Sequence, residues 1–197
     1  MKEYSRAYYD RWYRNPNTRI TSAEDTARKV HLAVSAAEYM LCRKVESVLD
    51  VGCGEASWFA PLRRLRPGVE YVGIESSPYI IEKFGNSRNV RLGTFGRLAS
   101  LKLGLPFDLI VCADVVQYIP DEELRRGLTA IRRLCGGVAF IETFVVEDAM
   151  EGDHDGWHDR SERVMRRYFK EAGLTHCGLY CWFDERKISN VNRFEIG

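Results

Sequence analysis

The residues best placed to do chemistry are Asp50 and Glu75, with the glycines between them. Asp50 closes the run VLD and is followed by Val51, Gly52, Cys53 and Gly54. Apolar residues, a tight glycine turn and then a helix-compatible stretch read as strand, loop and helix N-terminus. That geometry bares backbone N–H groups and lets a ligand approach the main chain closely. Glu75 ends a second predicted strand, EYVGIE at 70–75. A carboxylate there stands beside the first loop, where it can hold a ribose diol. The pair describes a nucleoside-binding α/β domain.

Electrostatics then choose the nucleoside. A dehydrogenase fingerprint is GxGxxG with an acid about 20 residues later. Here residues 52–57 read GCGEAS, without the third glycine. Asp50 would repel a pyrophosphate but suits a cationic or amino-bearing ligand. S-adenosylmethionine carries an ammonium, a sulfonium and a ribose diol, and no phosphate, so it is favoured over NAD.

Further candidates lie downstream. Glu142 sits in an apolar strand, either as a buried carboxylate near substrate or as an arginine's partner. The polar stretch 147–162, EDAMEGDHDGWHDRSE, follows that strand. Three readings of it stand side by side: a substrate lid with His154 or His158 as general base, a metal site from Asp153, His154, Asp155 and His158, or a solvated loop. No acidic pair suited to magnesium is evident, so the chemistry is expected to be metal-independent. His31, the six cysteines and the helical arginines read as packing or surface residues.

The elements that must position these residues alternate. Helices are expected over 2–14, 22–43, 55–66, 78–86, 97–102, 120–134 and 160–172. Ser22 is a plausible N-cap and Pro78 a first-turn proline. Strands are expected over 45–51, 69–75, 89–95, 107–113 and 136–146. Residues 174–183 and 188–196 should close the chain as an antiparallel hairpin. Alternating strands and helices predict a doubly wound parallel sheet.

Composition bounds the partners. The chain has 197 residues and a net charge of +1, from 29 basic and 28 acidic residues. That suits a single domain with a sizeable core. It gives no electrostatic case for nucleic acid. No apolar run nears the roughly 20 residues of a membrane span, and the N-terminus has no signal-peptide core. Six scattered cysteines without CxxC imply reduced thiols in the cytoplasm.

Three ordered motifs across residues 45–145 resemble the class I S-adenosylmethionine-dependent methyltransferases: Asp50-Val51-Gly52-Cys53-Gly54, then Glu75-Ser76, then FDLIVCADVVQYIPD at 107–121. The resemblance implies that Asp50, Gly52, Cys53 and Gly54 hold the methionine end. Glu75 would take the ribose diol, with Ser76 beside adenine. The carbonyl of Ala113 and the region of Asp114 and Val115 would face the methionine amine, with Tyr118 near the transferring methyl. The chain departs from the family's pattern at three positions. Ala56 replaces a frequent third glycine, and Tyr118 a frequent histidine. Thr94 replaces an aspartate that holds adenine, leaving adenine to the Thr94 hydroxyl and the Phe95 backbone.

N-terminal helices of small-molecule members resemble a lid. Tyr8, Trp12 or Tyr13 could cover the cofactor here, and Arg19 could pair with its carboxylate. Alternatively Tyr9, Trp12 and Tyr13, spaced i, i+3, i+4, form one packed helix face. The WYR…TRITS…E pattern is distantly similar to nodulation N-methyltransferases.

The expected protein is therefore a Rossmann-like, three-layer α/β/α domain. Its mostly parallel sheet has about seven strands and a C-terminal antiparallel hairpin. Residues 1–44 form a helical lid, 45–145 the cofactor core, and 146–197 the substrate loop, helix and hairpin. The expected activity is methyl transfer from S-adenosylmethionine, leaving S-adenosylhomocysteine, to an oxygen or nitrogen of a small molecule. A protein or RNA acceptor, or a non-catalytic S-adenosylmethionine-binding regulator, are the alternatives. No nucleic-acid or membrane partner is expected, and a homodimer is compatible with the sequence.

Overall fold

Two nearly uninterrupted apolar runs form the central strands, β1 (Ser47–Val51) and β4 (Phe107–Ala113). Strands covered on both faces read this way because neither side meets water. Beside them lie β2 (Glu70–Glu75), β3 (Val90–Leu92) and β5 (Cys135–Glu142). Two short strands, β6 (Thr175–His176) and β7 (Cys181–Phe183), complete a seven-stranded sheet of order β3-β2-β1-β4-β5-β7-β6. The first five are parallel, and β7 runs antiparallel to β5 and β6. The structure is a computed structural model that describes residues 3–104, 106–150, 152–189, 191–192, 194 and 196.

Helices cover both faces. On one side α2 (Ala23–Leu41), α3 (Phe59–Leu65) and α4 (Pro78–Arg88) pack on Val48, Leu109, Val138 and Phe140. On the other α5 (Asp121–Leu134) and α6 (Glu162–Glu171) pack on Leu49, Ile110 and Ile141. Ser22 caps α2 by accepting the Asp25 N–H at 3.0 Å. Ser77 caps α4, which opens on Pro78. The strand order reverses between β1 and β4, so a crevice opens above their carboxyl ends.

The structure corrects several boundaries. The expected 2–14 helix is α1 (Arg6–Tyr9) followed by a π-turn, Asp10–Arg14, in which the Asn15 N–H reaches the Asp10 carbonyl at 3.0 Å. The helix expected from residue 55 begins at Phe59, because Gly54 and Ala56 adopt φ of 51° and 54° and lengthen the turn. The 97–102 helix is a 3-10 turn over Phe95–Ser100. Strand five ends at Glu142, not 146. The hairpin is real but built differently. Both its strands lie within 174–183, where Gly178, Leu179 and Tyr180 have φ of 89°, 48° and 64° and reverse the chain. Over 188–196 there is no strand among the described residues, and Asn190, Arg193 and Glu195 lie outside them.

Cys42, exposed at the end of α2, sits in the left-handed region at φ 53°. Glycine relieves the Cβ clash of such a helix end. Cys42→Gly should stabilise the fold by about 1 kcal/mol, seen as a melting temperature higher by roughly 2–4 °C.

Candidate active site

The site grows from the loop after β1. Gly52 and Gly54 have φ of 69° and 51°, left-handed values that favour glycine. Space demands glycine too. A Cβ on Gly52 would fall 2.5 Å from Val115, and one on Gly54 would fall 2.6 Å from the Tyr13 hydroxyl. The N–H groups of Gly52 and Cys53 donate to the Ile74 carbonyl at 2.8 and 3.2 Å, lashing the loop to the end of β2.

Glu75 is buried at that end. One carboxylate oxygen accepts the Gly54 N–H at 2.9 Å. The other accepts the N–H groups of Ser76 and Ser77 at 2.7 and 3.0 Å and the Ser76 hydroxyl at 3.2 Å. The carboxylate thus bridges the two loops from which a nucleoside would be held. Asp50 is also buried, and the Tyr71 hydroxyl donates to it at 2.7 Å. Burial pushes the Asp50 carboxyl up to about 7; Glu75 adds to the rise and the Tyr71 hydrogen bond opposes it. Such a group gains most from a cation placed against it.

A cavity of about 410 Å³ opens on this loop. Asp50, Gly52, Cys53, Ala113, Asp114, Glu142, Trp12 and Arg19 all line it. Asp114 is held at φ 61°, and its carboxylate accepts the Gln117 side-chain amide. Tyr13 lines the cavity too, with its hydroxyl end on Gly54. Tyr9 is buried against Tyr79 and Tyr13, at 5.9 and 4.9 Å between ring centroids, whereas Trp12 and Tyr13 face the cavity.

Other expected site residues lie apart. The Phe95 ring is buried over Gly127 on α5, and Thr94 flanks it; neither lines this cavity. The Tyr118 hydroxyl donates to the Asp153 carbonyl at 2.7 Å, and burial raises its pKa. His154 contacts Trp157 at 4.4 Å between rings and lines a second cavity of about 390 Å³ with Tyr8, Arg11, Trp12 and Asp153; Trp12 lines both cavities. His158 is exposed, its backbone N–H bonded to the Gln117 carbonyl at 2.8 Å. Among the described residues no group of three or more His, Cys, Asp or Glu is placed to hold a metal ion.

Lys29, Arg64 and Arg88 also face the 410 Å³ cavity and were not anticipated. Lys29 had a legible signal. It lies between Thr26 and Ala33 along the buried stripe of α2, a position where lysine is anomalous. Its ammonium pairs with Glu142 at 2.6 Å. Arg64, on a seven-residue helix, gave no such signal.

Fold and site together define the S-adenosylmethionine-binding class of doubly wound α/β proteins. The profile of a methyltransferase domain family matches residues 22–193, and the chain belongs to that family. It is 25% identical over 147 residues to trans-aconitate 2-methyltransferase of Klebsiella pneumoniae, covering 72% of this chain and 54% of that protein. The chain therefore spans about half the length of this curated relative. Among solved structures it is similar to an S-adenosylmethionine-dependent methyltransferase from Archaeoglobus fulgidus, with a TM-score of 0.65 and 16% identity over 87% of this chain and 75% of that one. It is equally similar in fold to an amino pentose methyltransferase from Micromonospora echinaspora with S-adenosylmethionine bound. That match has a TM-score of 0.65 and 19% identity over 89% and 92% of the two chains.

The residues fit this cofactor. Asp50 is a buried carboxylate suited to a cation, Glu75 a carboxylate suited to a diol, and Gly52 and Gly54 let Val115 and the Tyr13 hydroxyl approach the turn where a side chain would clash. Because burial pushes the Asp50 carboxyl up to about 7, binding the cofactor's cationic end should release up to one proton. Affinity for S-adenosylhomocysteine should rise with pH toward about 7 and level off above it. Calorimetry in two buffers of different ionisation enthalpy measures the proton count. The unliganded fold carries the opposite dependence. With its pKa raised on folding, Asp50 contributes stability that is full at low pH and lost as pH rises through about 7.

Proposed function

We propose that this chain transfers the methyl group of S-adenosylmethionine to an oxygen or nitrogen of a small-molecule acceptor. The observation that carries the reading is the Glu75 bridge to Gly54, Ser76 and Ser77, next to Gly52, Cys53 and the buried Asp50, which line one cavity. The cofactor supplies a methyl group already activated by the sulfonium. The protein's task is then to orient and to exclude water, which can carry much of the rate.

In this reading Glu75 holds the ribose diol. Asp50, the Ala113 carbonyl and Asp114 hold the methionine ammonium, and Arg19 its carboxylate. Residues 3–14 close over the cavity, with Tyr13 seated on the glycine turn. The acceptor lies toward Glu142 and Lys29, at the carboxyl ends of β4 and β5. Small acceptors are favoured by the balanced charge and by the names of similar structures, which include an amino pentose methyltransferase and mitomycin 7-O-methyltransferase. No helix among the described residues is long and apolar enough to cross a membrane. All six cysteines are free thiols, suited to a reducing cytoplasm.

Calorimetric titration with S-adenosylhomocysteine and with NAD tests the cofactor. The expected result is micromolar binding of the first alone. Asp50→Ala and Glu75→Ala should each weaken it at least tenfold, about 1.4 kcal/mol. Unchanged affinity in both variants would remove them from the site.

A further inference from the structure

A third cavity, of about 370 Å³, lies at the opposite end of the sheet from the glycine turn. β7 runs antiparallel to β5, so the chain leaving Phe183 emerges beside the amino end of β5. Asp184, Arg186 and Lys187 there face the later turns of α5 across the cavity. Arg126, Thr129, Ala130 and Arg133 lie at i, i+3, i+4 and i+7, one stripe of that helix, and Arg132 flanks them. Five cations thus line the cavity with a single carboxylate, in a chain whose charges otherwise almost cancel.

The carboxylate sets how the cations stand. Asp184 is buried and accepts the Nε–H of Arg132 at 2.8 Å and that of Arg186 at 3.2 Å, together with the Arg186 backbone N–H at 3.1 Å. A guanidinium has five donors. Held by Nε, both arginines keep their Nη groups without an acceptor among the described residues. Arg133 spends one Nη on the Ala99 carbonyl at 3.0 Å, and Arg126 one on Glu122. Lys187 differs: its ammonium meets the carbonyls of Arg132, Arg133 and Cys135 at 2.8, 3.1 and 2.6 Å. Basic residues near a helix C-terminus ordinarily answer the negative end of the helix dipole. Lys187 already meets those carbonyls, so the four guanidiniums are in excess of that need. Like charges gathered in a concave site repel one another, and a cleft lined by one sign concentrates the opposite ion.

We propose that this cavity binds a small oligophosphate, a chain of two or three phosphoryl groups either free or carried on a nucleoside. Guanidinium forks match phosphate oxygens bidentately. One phosphate brings about two negative charges, too few for four guanidiniums and an ammonium. A short chain brings several within one small cavity. The site goes beyond the cofactor reading and does not depend on it, since it shares no lining residue with the 410 Å³ cavity.

Protein in metal-free buffer at about 0.15 M ionic strength is titrated calorimetrically with tripolyphosphate, pyrophosphate, phosphate and citrate, with and without S-adenosylhomocysteine. Tripolyphosphate should bind at one site, at least about tenfold more tightly than phosphate or citrate, and equally well in both conditions. Arg186→Gln and Arg133→Gln should each weaken it at least about tenfold, and Arg186→Lys should recover part of the loss. Both side chains are exposed and Asp184 keeps Arg132 in each variant, so the variants should fold. Arg28→Gln removes the same charge from an exposed position on α2, outside the cavity, and should leave the affinity unchanged. Adenosine triphosphate, run beside tripolyphosphate, separates the two sources. Tighter binding of the nucleotide assigns a nucleoside carrier; equal or weaker binding assigns the bare chain. The proposal is overturned if tripolyphosphate shows no saturable binding, if citrate matches it, or if S-adenosylhomocysteine displaces it. It is equally overturned if neither Arg186→Gln nor Arg133→Gln weakens binding, or if Arg28→Gln weakens it as much. None of these results bears on the cofactor reading, which rests on S-adenosylhomocysteine affinity alone.

Discussion

The Glu75 carboxylate is the point on which the rest of the structure turns. It is buried, and three backbone N–H groups from two different loops converge on it. A buried carboxylate without such donors would be costly, and two loops without it would have N–H groups directed at nothing. The ends of β1 and β2 are thereby set at one height. The same corner starts α4, because Ser77 caps that helix and its hydroxyl also donates to the Tyr4 carbonyl at 2.6 Å. The bridge also bears on ligand charge. In a phosphate-binding turn the free N–H groups face the phosphate. Here the Gly54 N–H is spent on a carboxylate, so the turn offers a diol an acceptor and offers a phosphate repulsion.

The N-terminal segment depends on this turn in a second way. Tyr13 can stand on Gly54 only because position 54 lacks a side chain. The π-turn over Asp10–Arg14 supplies the register. It lets Tyr9 bury against Tyr79 while Arg14 reaches Glu55, in the glycine turn, and the Tyr79 hydroxyl at 3.0 Å. Glu55 thus links the glycine turn to residues 10–14. Such π-turns are frequent where a helix must aim side chains at a site.

Much of this was legible in the chain. Uninterrupted apolar runs gave β1 and β4, and an acid at a strand end marked the buried Glu75, because burial on both faces and a carboxylate closing a strand each leave a local mark. Asp50, Ala113 and Asp114 were equally local. Arg64 was missed because it reaches the cavity from α3 and only tertiary packing brings it there, whereas Lys29 left a mark as a lysine on the buried stripe of α2. The hairpin was misdrawn because Leu179 and Tyr180, ordinary strand residues, adopt positive φ where chain reversal demands it. The lone Gly178 beside them was the overlooked punctuation. The Phe95 ring fills the space that Gly127 leaves on α5, a pairing that neither segment marks by itself.

The two outer strands of the sheet have a bearing on how the molecule behaves in a crowded solution. β3 has three residues and β6 two, and β3 carries the exposed Arg91 at its centre. A long bare edge invites another chain to add a strand, the first step of aggregation. Edges this short present too few unpaired amides to template such growth. The wide parallel centre, which is rich in valine and isoleucine and would stack readily if exposed, is thus guarded at both flanks. Resistance to edge-to-edge pairing in this fold is accordingly a property of its margins more than of its near-neutral net charge.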